Sequence, residues 1–92
     1  MPEIAERWWV EGRVQGVGFR YYTLRRAREL GLAGRVRNLP DGRVEVRVRG
    51  EDSVVRRLLK AVENGPPPSR VLRVRTEPWS GEADWSDFAI DR

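Results

Sequence analysis

The glycine-rich stretch Gly12–Arg20 constrains the fold most strongly, because it separates two patterns of different periodicity. The apolar run Trp8-Trp9-Val10 precedes it, and a helical pattern over 21–32 follows it. Glycines between a strand pattern and a helix pattern are typical of a tight strand-to-helix turn. The sequence therefore predicts a strand–helix unit with a glycine loop at its turn.

This loop has three features of an anion-binding site. Gly16 and Gly18 let backbone N–H groups approach a ligand, since no Cβ intervenes. No Ser, Thr, Asp or Asn lies between Val14 and Tyr22, so the first N–H groups of the helix lack an obvious side-chain cap and are available to an anion. Arg20 adds a fixed positive charge with forked donors. The alternative interpretation is a tight turn that merely needs glycine.

Charge is distributed unevenly along the 92 residues, whose net charge is +4. Residues 77–92 contain five acidic residues and one basic residue, so the rest of the chain carries +8. A basic surface favours anionic partners, including nucleic acid. The chain has neither cysteine nor histidine, which excludes disulfides, thiolate chemistry and histidine acid–base catalysis. Any chemistry must therefore use arginine, carboxylate, amide, hydroxyl or backbone groups.

The length predicts one domain, which we place over 7–92. Residues 1–6 are acidic and short of apolar residues, so we expect a loose N-terminal tail and no signal peptide. No apolar run approaches the roughly 20 residues that a membrane-spanning helix needs. We therefore expect no membrane partner, and a cytoplasmic location is the default expectation.

The periodicity predicts an α+β fold of the ferredoxin-like, split βαβ type: βαββαβ with a short terminal strand, forming an antiparallel sheet with two helices on one face. Predicted strands cover 7–14, 33–39, 43–49, 69–76 and 86–91, and predicted helices cover 20–30 and about 53–63. The second helix opens on acids and a hydroxyl in 51–53, as the helix dipole favours. The first helix has no acid at its start, which supports a special use of that end.

Two amides have more than one interpretation. Asn38 ends the second predicted strand on the core-facing side with Val36, where a polar group needs a partner. It either caps the turn Pro40-Asp41-Gly42 or takes part in catalysis, and Gln15 in the glycine loop carries the same ambiguity. No metal site is predicted, because the acids of the C-terminal segment lack metal-loop spacing.

The loop residues Val14-Gln15-Gly16-Val17-Gly18-Phe19-Arg20 resemble the signature loop of the acylphosphatases. Further stretches that resemble this family are Gly34–Asn38, Gly42–Val44, Gly50 and Gly65–Pro67. The resemblance extends from about Arg7 to the C-terminus. One departure is Arg35, because the family usually has an aromatic residue there.

The resemblance implies hydrolysis of the carboxyl–phosphate anhydride of a small-molecule acyl phosphate to a carboxylate and inorganic phosphate, without metal or other cofactor. It implies that Arg20 binds the phosphoryl group together with the N–H groups of the loop residues, and that Asn38 orients the attacking water. The predicted phosphate-binding residues are Gln15, Gly16, Val17, Gly18, Phe19 and Arg20. Inorganic phosphate is the expected product and inhibitor, and we expect a monomer.

The residue chemistry is compatible with that activity. Phosphoryl transfer depends mainly on positioning and charge stabilisation. A carboxylate leaving group, with a conjugate-acid pKa of about 4, hardly needs a general acid. A chain without histidine or cysteine can therefore carry out this reaction, with the substrate phosphate as one candidate acceptor for the proton of the water.

Two other classes of function remain alternatives at this point. Ferredoxin-like RNA-binding domains stack bases on strand aromatics, whereas the predicted hairpin over 33–49 carries arginines and no aromatic residue, so we do not expect a nucleic-acid partner. The other alternative is an inactive domain that binds carboxyl phosphates, which the departure at Arg35 favours. Strongly salt-dependent RNA affinity would support the first alternative, and a turnover assay tests the second.

Overall fold

The computed structural model describes residues 2–92 and has two helices packed against a five-stranded sheet. Its elements are β1 (Glu3–Arg13), α1 (Phe19–Glu29), β2 (Ala33–Asn38), β3 (Val44–Glu51), α2 (Asp52–Asn64), β4 (Arg70–Pro78) and β5 (Phe88–Ile90). The strand order is β4-β1-β3-β2-β5. This arrangement confirms the predicted ferredoxin-like α+β sandwich. Neither helix is long and apolar enough to cross a membrane within this range.

The sheet is mixed, because β1, β2, β3 and β4 pair antiparallel and β5 pairs parallel with β2. The terminal strand was predicted, but its parallel pairing was not. Phe88 of β5 is buried in the core, and the Asp91 N–H donates to the Val36 carbonyl at 2.8 Å. The end of the chain is therefore fixed to the edge of the sheet beside β2.

The prediction of a loose tail over 1–6 is wrong for residues 3–6, which belong to β1; Met1 lies outside the described residues. β3 continues to Glu51, so Glu3 and Glu6 pair with Glu51 and Val48 in register. The charges of this segment also find partners: the Glu6 carboxylate accepts hydrogen bonds from Arg56 at 2.5 and 2.9 Å. Pairing with β3 thus places this acidic segment in the sheet.

The core lies between the helices and the inner face of the sheet. Valines at alternating positions of β3, together with Trp8 and Val10 of β1, form its floor. The helices cover this floor with Phe19, Leu24, Ala27, Val55, Leu58 and Val62. Burial of this apolar surface is the main force that holds α1 against the sheet, and it thereby fixes where that helix begins.

The opposite face of the sheet is polar and centres on Glu45 of β3, which is only 1% exposed. Its carboxylate accepts hydrogen bonds from Arg7 at 2.7 Å, Arg37 at 2.8 Å and Arg47 at 3.1 Å. The Arg7 guanidinium also lies 4.5 Å from the ring centroid of Trp9. Trp9 is therefore packed against arginine on this face.

Residues 79–87 connect β4, at one edge of the sheet, to β5, at the other, and they contact the polar face on the way. Trp79 packs on the Arg47 guanidinium, with 5.1 Å between that group and the ring centroid. The Arg49 guanidinium donates to the Trp85 carbonyl oxygen. The arginines of this face are therefore engaged by the chain's own carboxylates, carbonyls and indole rings.

Candidate active site

The loop between β1 and α1 has the backbone shape that its glycines suggested. Gly16 and Gly18 have φ values of 73° and 78°, in the left-handed region that L side chains rarely adopt. A Cβ at either position would meet no atom of the described residues within 4 Å. Within the protein itself, glycine is therefore required here by backbone conformation and not by crowding.

The positive N-terminal end of helix α1 is not balanced by an acidic side chain in its first turn. Gly18 is its N-cap, no side-chain capping hydrogen bond is formed there within residues 2–92, and its first turn contains no acid. Helix α2 also lacks a side-chain capping bond, but its first turn contains Asp52. The difference between the helices is thus the acid, as predicted, and the positive end of α1 remains available to an anion.

Arg20 is the second residue of α1 and is half-buried. Among residues 2–92, it takes part in none of the salt bridges. It lines a cavity of about 260 Å³ together with the loop and the β5 residue Ile90. The preceding residue, Phe19, is buried in the core, so its side chain faces away from any ligand and only its backbone is available.

The Gln15 side chain is engaged within the fold. Its amide nitrogen donates to the Leu39 carbonyl at 2.7 Å and to the Arg43 carbonyl at 3.0 Å. Val17, by contrast, is half-buried and packs against the core. The loop therefore has one polar anchor to the β2–β3 turn and one apolar anchor to the core.

Asn38 lies at the end of β2, where it pairs with Val44 of β3. Its Oδ1 atom is buried and has no hydrogen-bond partner in the described part of the chain. Asp41 holds the adjacent turn instead: its carboxylate accepts from the Arg43 N–H at 3.0 Å, and this hydrogen bond holds the pKa of Asp41 below its ordinary value. The turn-capping interpretation of Asn38 is therefore not what the structure shows.

Arg35, the departure noted in the sequence, alternates with Val36 along β2 and so lies on the opposite face from Asn38. Its guanidinium donates to the Asp87 carbonyl at 3.0 Å. The residue thus ties β2 to the C-terminal segment, and it does not enter the region of the loop.

The acylphosphatase family model matches residues 6–90, nearly the whole chain. The chain belongs to the acylphosphatase family. A curated acylphosphatase of a Mycobacterium species is 50% identical over 86 residues, which cover 94% of this chain and 84% of the relative. Family membership assigns the chain acylphosphatase activity on a small-molecule acyl phosphate.

Solved acylphosphatase structures have the same architecture. The Bacillus subtilis acylphosphatase is 37% identical and superposes with a TM-score of 0.92, over 97% of this chain and 99% of that one. An acylphosphatase from Coxiella burnetii is 38% identical, with a TM-score of 0.90 over 97% of this chain and 93% of that one. These likenesses extend the family assignment from the sequence to the fold.

Some contacts around the acylphosphatase loop were missed by sequence reasoning. The Tyr22 hydroxyl donates to the Ala61 carbonyl at 2.8 Å and ties α1 to α2. The carbonyls that accept hydrogen bonds from the Gln15 amide belong to Leu39 and Arg43. Backbone acceptors carry no side-chain signal, so residue type alone could not have revealed these partners.

Proposed function

We propose that the chain hydrolyses the carboxyl–phosphate anhydride without a metal, with loop 15–20 and Arg20 holding the phosphoryl group and Asn38 orienting the water. The observation that carries this proposal is the start of α1, which has neither a capping side chain nor an acid. A phosphoryl group placed there would receive the free N–H groups of the helix end.

Arg20 supplies the charge that the helix end alone lacks. It lies in the first turn of α1 and takes part in none of the salt bridges of residues 2–92. Its planar guanidinium suits two oxygens of one phosphoryl group. Donors already in place stabilise the charge that spreads over the phosphoryl oxygens in the transition state.

The attacking water is assigned to Asn38 because its buried Oδ1 has no hydrogen-bond partner among residues 2–92. Such an acceptor is costly unless a donor such as water reaches it. When a water donates one hydrogen to Oδ1, this hydrogen bond fixes its orientation. In this proposal, the fixed water then points an oxygen lone pair toward phosphorus.

The reaction then needs few further groups. Water forms a bond to phosphorus while the bond from phosphorus to the acyl oxygen breaks, and the acyl group leaves as a carboxylate. The water proton moves to a phosphoryl oxygen. The N–H groups of the loop and the Arg20 guanidinium stabilise the charge of the phosphoryl group in this proposal. Residues 2–92 contain no group of three or more His, Cys, Asp or Glu side chains that could hold a metal ion.

The test is hydrolysis of benzoyl phosphate by the wild type in the presence of a chelator, beside Arg20→Ala. We expect the variant to lose at least about 100-fold in kcat and to lose phosphate binding, as for removal of a transition-state donor. Arg57→Ala is the matched control, because Arg57 is an exposed arginine of α2. Near-normal turnover of Arg20→Ala would contradict the assignment, and phosphate binding without wild-type turnover would leave a binding module.

Asn38→Ala tests the water-positioning role separately. We expect kcat to fall far more than the affinity for inorganic phosphate, because the phosphate donors remain in place. Equal losses in kcat and in phosphate affinity, measured by isothermal titration, would instead make Asn38 a phosphate ligand.

A further inference from the structure

The Gln15 amide joins two parts of the site that lie far apart in the chain. Its nitrogen donates to the carbonyls of Leu39 and Arg43, 24 and 28 positions away, at 2.7 and 3.0 Å. These carbonyls flank the β2–β3 turn, which is closed by a hydrogen bond from the Leu39 N–H to the Arg43 carbonyl at 2.8 Å. The side chain is therefore bound to a turn that is itself well defined.

Both ends of this link are next to groups of the proposed mechanism. Gln15 immediately precedes Gly16 and the rest of the phosphate loop. Leu39 immediately follows Asn38 in the chain. A shift of the loop relative to the turn would therefore change the distance between the phosphoryl group and the atom that orients the water.

The same hydrogen bonds argue against Gln15 as a side-chain ligand of phosphate. A glutamine amide has two N–H donors, and both are matched by the two carbonyls. Its remaining polar atom, the carbonyl oxygen, is an acceptor and would repel a phosphate oxygen. Only the backbone N–H of Gln15 remains as a donor for the anion.

We propose that Gln15 is a positioning residue whose side chain fixes the phosphate loop relative to Asn38, an inference that rests on the proposed function. It acts on the water step through Asn38 and leaves phosphate binding to the loop N–H groups and Arg20. The predicted role of Gln15 as a phosphate-binding residue is thereby confined to its backbone.

A double-mutant cycle tests this inference with Gln15→Met and Asn38→Ala. Methionine keeps the length and packing of the side chain and removes its donors. We expect Gln15→Met to lower kcat for benzoyl phosphate by about 10- to 100-fold, the range that a small misplacement of reacting groups produces. In the Asn38→Ala background, the same change should lower kcat by less than about twofold, because the group that it positions is gone.

The affinity for inorganic phosphate gives a second readout. If the Gln15 side chain merely stabilised the loop, its loss would weaken phosphate binding as well as turnover. We expect the dissociation constant of Gln15→Met to stay within about threefold of the wild type, since the phosphate donors are unchanged. Tyr22→Phe is the control, because it removes a tertiary hydrogen bond nearby, the one between α1 and α2, without touching the link from the loop to the β2–β3 turn. It should change neither kcat nor phosphate affinity beyond about twofold.

The outcomes separate this inference from the function on which it rests. An inactive wild type, or an Asn38→Ala variant with full activity, overturns the proposed function and the inference with it. An active wild type and a weakened Asn38→Ala, with fully additive losses in the double variant, overturn only the role of Gln15. Loss of phosphate affinity as large as the loss of kcat in Gln15→Met also overturns it, because the side chain would then be a ligand.

Discussion

Replacement of Glu45 by glutamine removes the negative charge from the centre of the polar sheet face while keeping the size of the side chain. The carboxylate is 1% exposed and forms salt bridges with Arg7 at 2.5 Å, Arg37 at 2.8 Å and Arg47 at 3.1 Å. In Glu45→Gln, three guanidinium groups would converge on one neutral amide. We expect this change to destabilise the fold strongly without affecting catalysis, because neither Arg20 nor Asn38 belongs to this ion-pair cluster.

The size of the loss follows from the exposure of the partners. Removing one member of a buried ion pair typically costs about 3–5 kcal/mol, because the remaining charge stays buried and unpaired. Here the arginine side chains are 21–37% exposed, so water screens their mutual repulsion. We therefore expect a loss of about 2–3 kcal/mol in the free energy of unfolding.

Urea unfolding measures this loss directly. For a domain of this size, the slope is about 1 kcal/mol per M, so the midpoint should fall by about 2–3 M with an unchanged slope. Glu63→Gln is the control, because Glu63 is an exposed acid of α2, and it should shift stability by no more than about 0.5 kcal/mol. Turnover of benzoyl phosphate by the folded Glu45→Gln variant should match the wild type.

The pH dependence gives an independent check. Burial raises the pKa of Glu45, but hydrogen bonds from Arg37 and Arg7 and the charge of Arg47 outweigh it and hold the pKa below its ordinary value of 4.5. Its contribution to stability is therefore present above pH 4.5 and is lost as the pH falls through the lower pKa of the folded state. The stability gap between wild type and Glu45→Gln should shrink in that range. A variant as stable as the wild type at pH 7 would refute this reasoning.

Three further predictions concern the loop and the C-terminus. Inorganic phosphate at 100 times its dissociation constant should stabilise the wild type by about 2.7 kcal/mol, and Arg20→Ala should show no such gain in a thermal unfolding scan. Gly18→Ala and Gly31→Ala both place a side chain at positive φ, 78° and 71°, and each should lower the free energy of unfolding by about 1–2 kcal/mol. Only Gly18 lies in the phosphate loop, so titration calorimetry should detect weaker phosphate binding in Gly18→Ala and not in Gly31→Ala. Phe88→Ala should cost about 3–5 kcal/mol in urea unfolding, because this ring is 1% exposed; a loss below about 1 kcal/mol would mean that β5 contributes little to the core.

Local patterns predicted most of the fold. Alternation identified the strand with Val44, Val46 and Val48, and the helical spacing of apolar residues identified α2. The start of β1 was missed because residues 3–6 combine two acids with two apolar residues and show no strand alternation. They form a strand through pairing with β3 and through ion pairs such as that of Glu6 with Arg56. Strand assignment there depends on tertiary partners, which a single-sequence pattern does not contain.

In the candidate site too, some features could be predicted from local sequence and others depend on distant partners. Gly16, Gly18 and the missing acid at the start of α1 are local features, so the loop could be predicted as an anion site. The use of the Gln15 amide could not be predicted, since its partners are backbone carbonyls on a distant turn. Whether Asn38 caps a turn or keeps a free oxygen likewise depends on how Asp41 occupies that turn.

The strand order β4-β1-β3-β2-β5 also has a consequence for folding kinetics. Only β2 and β3 are neighbours both in the sheet and in the chain, so β1, β4 and β5 must close long loops before they pair with their neighbouring strands. The phosphate loop follows β1 and is held at the β2–β3 turn, so we expect it to form after the rate-limiting step. Inorganic phosphate should then slow unfolding in proportion to its binding and leave the folding rate unchanged, which makes the substrate site a determinant of kinetic lifetime.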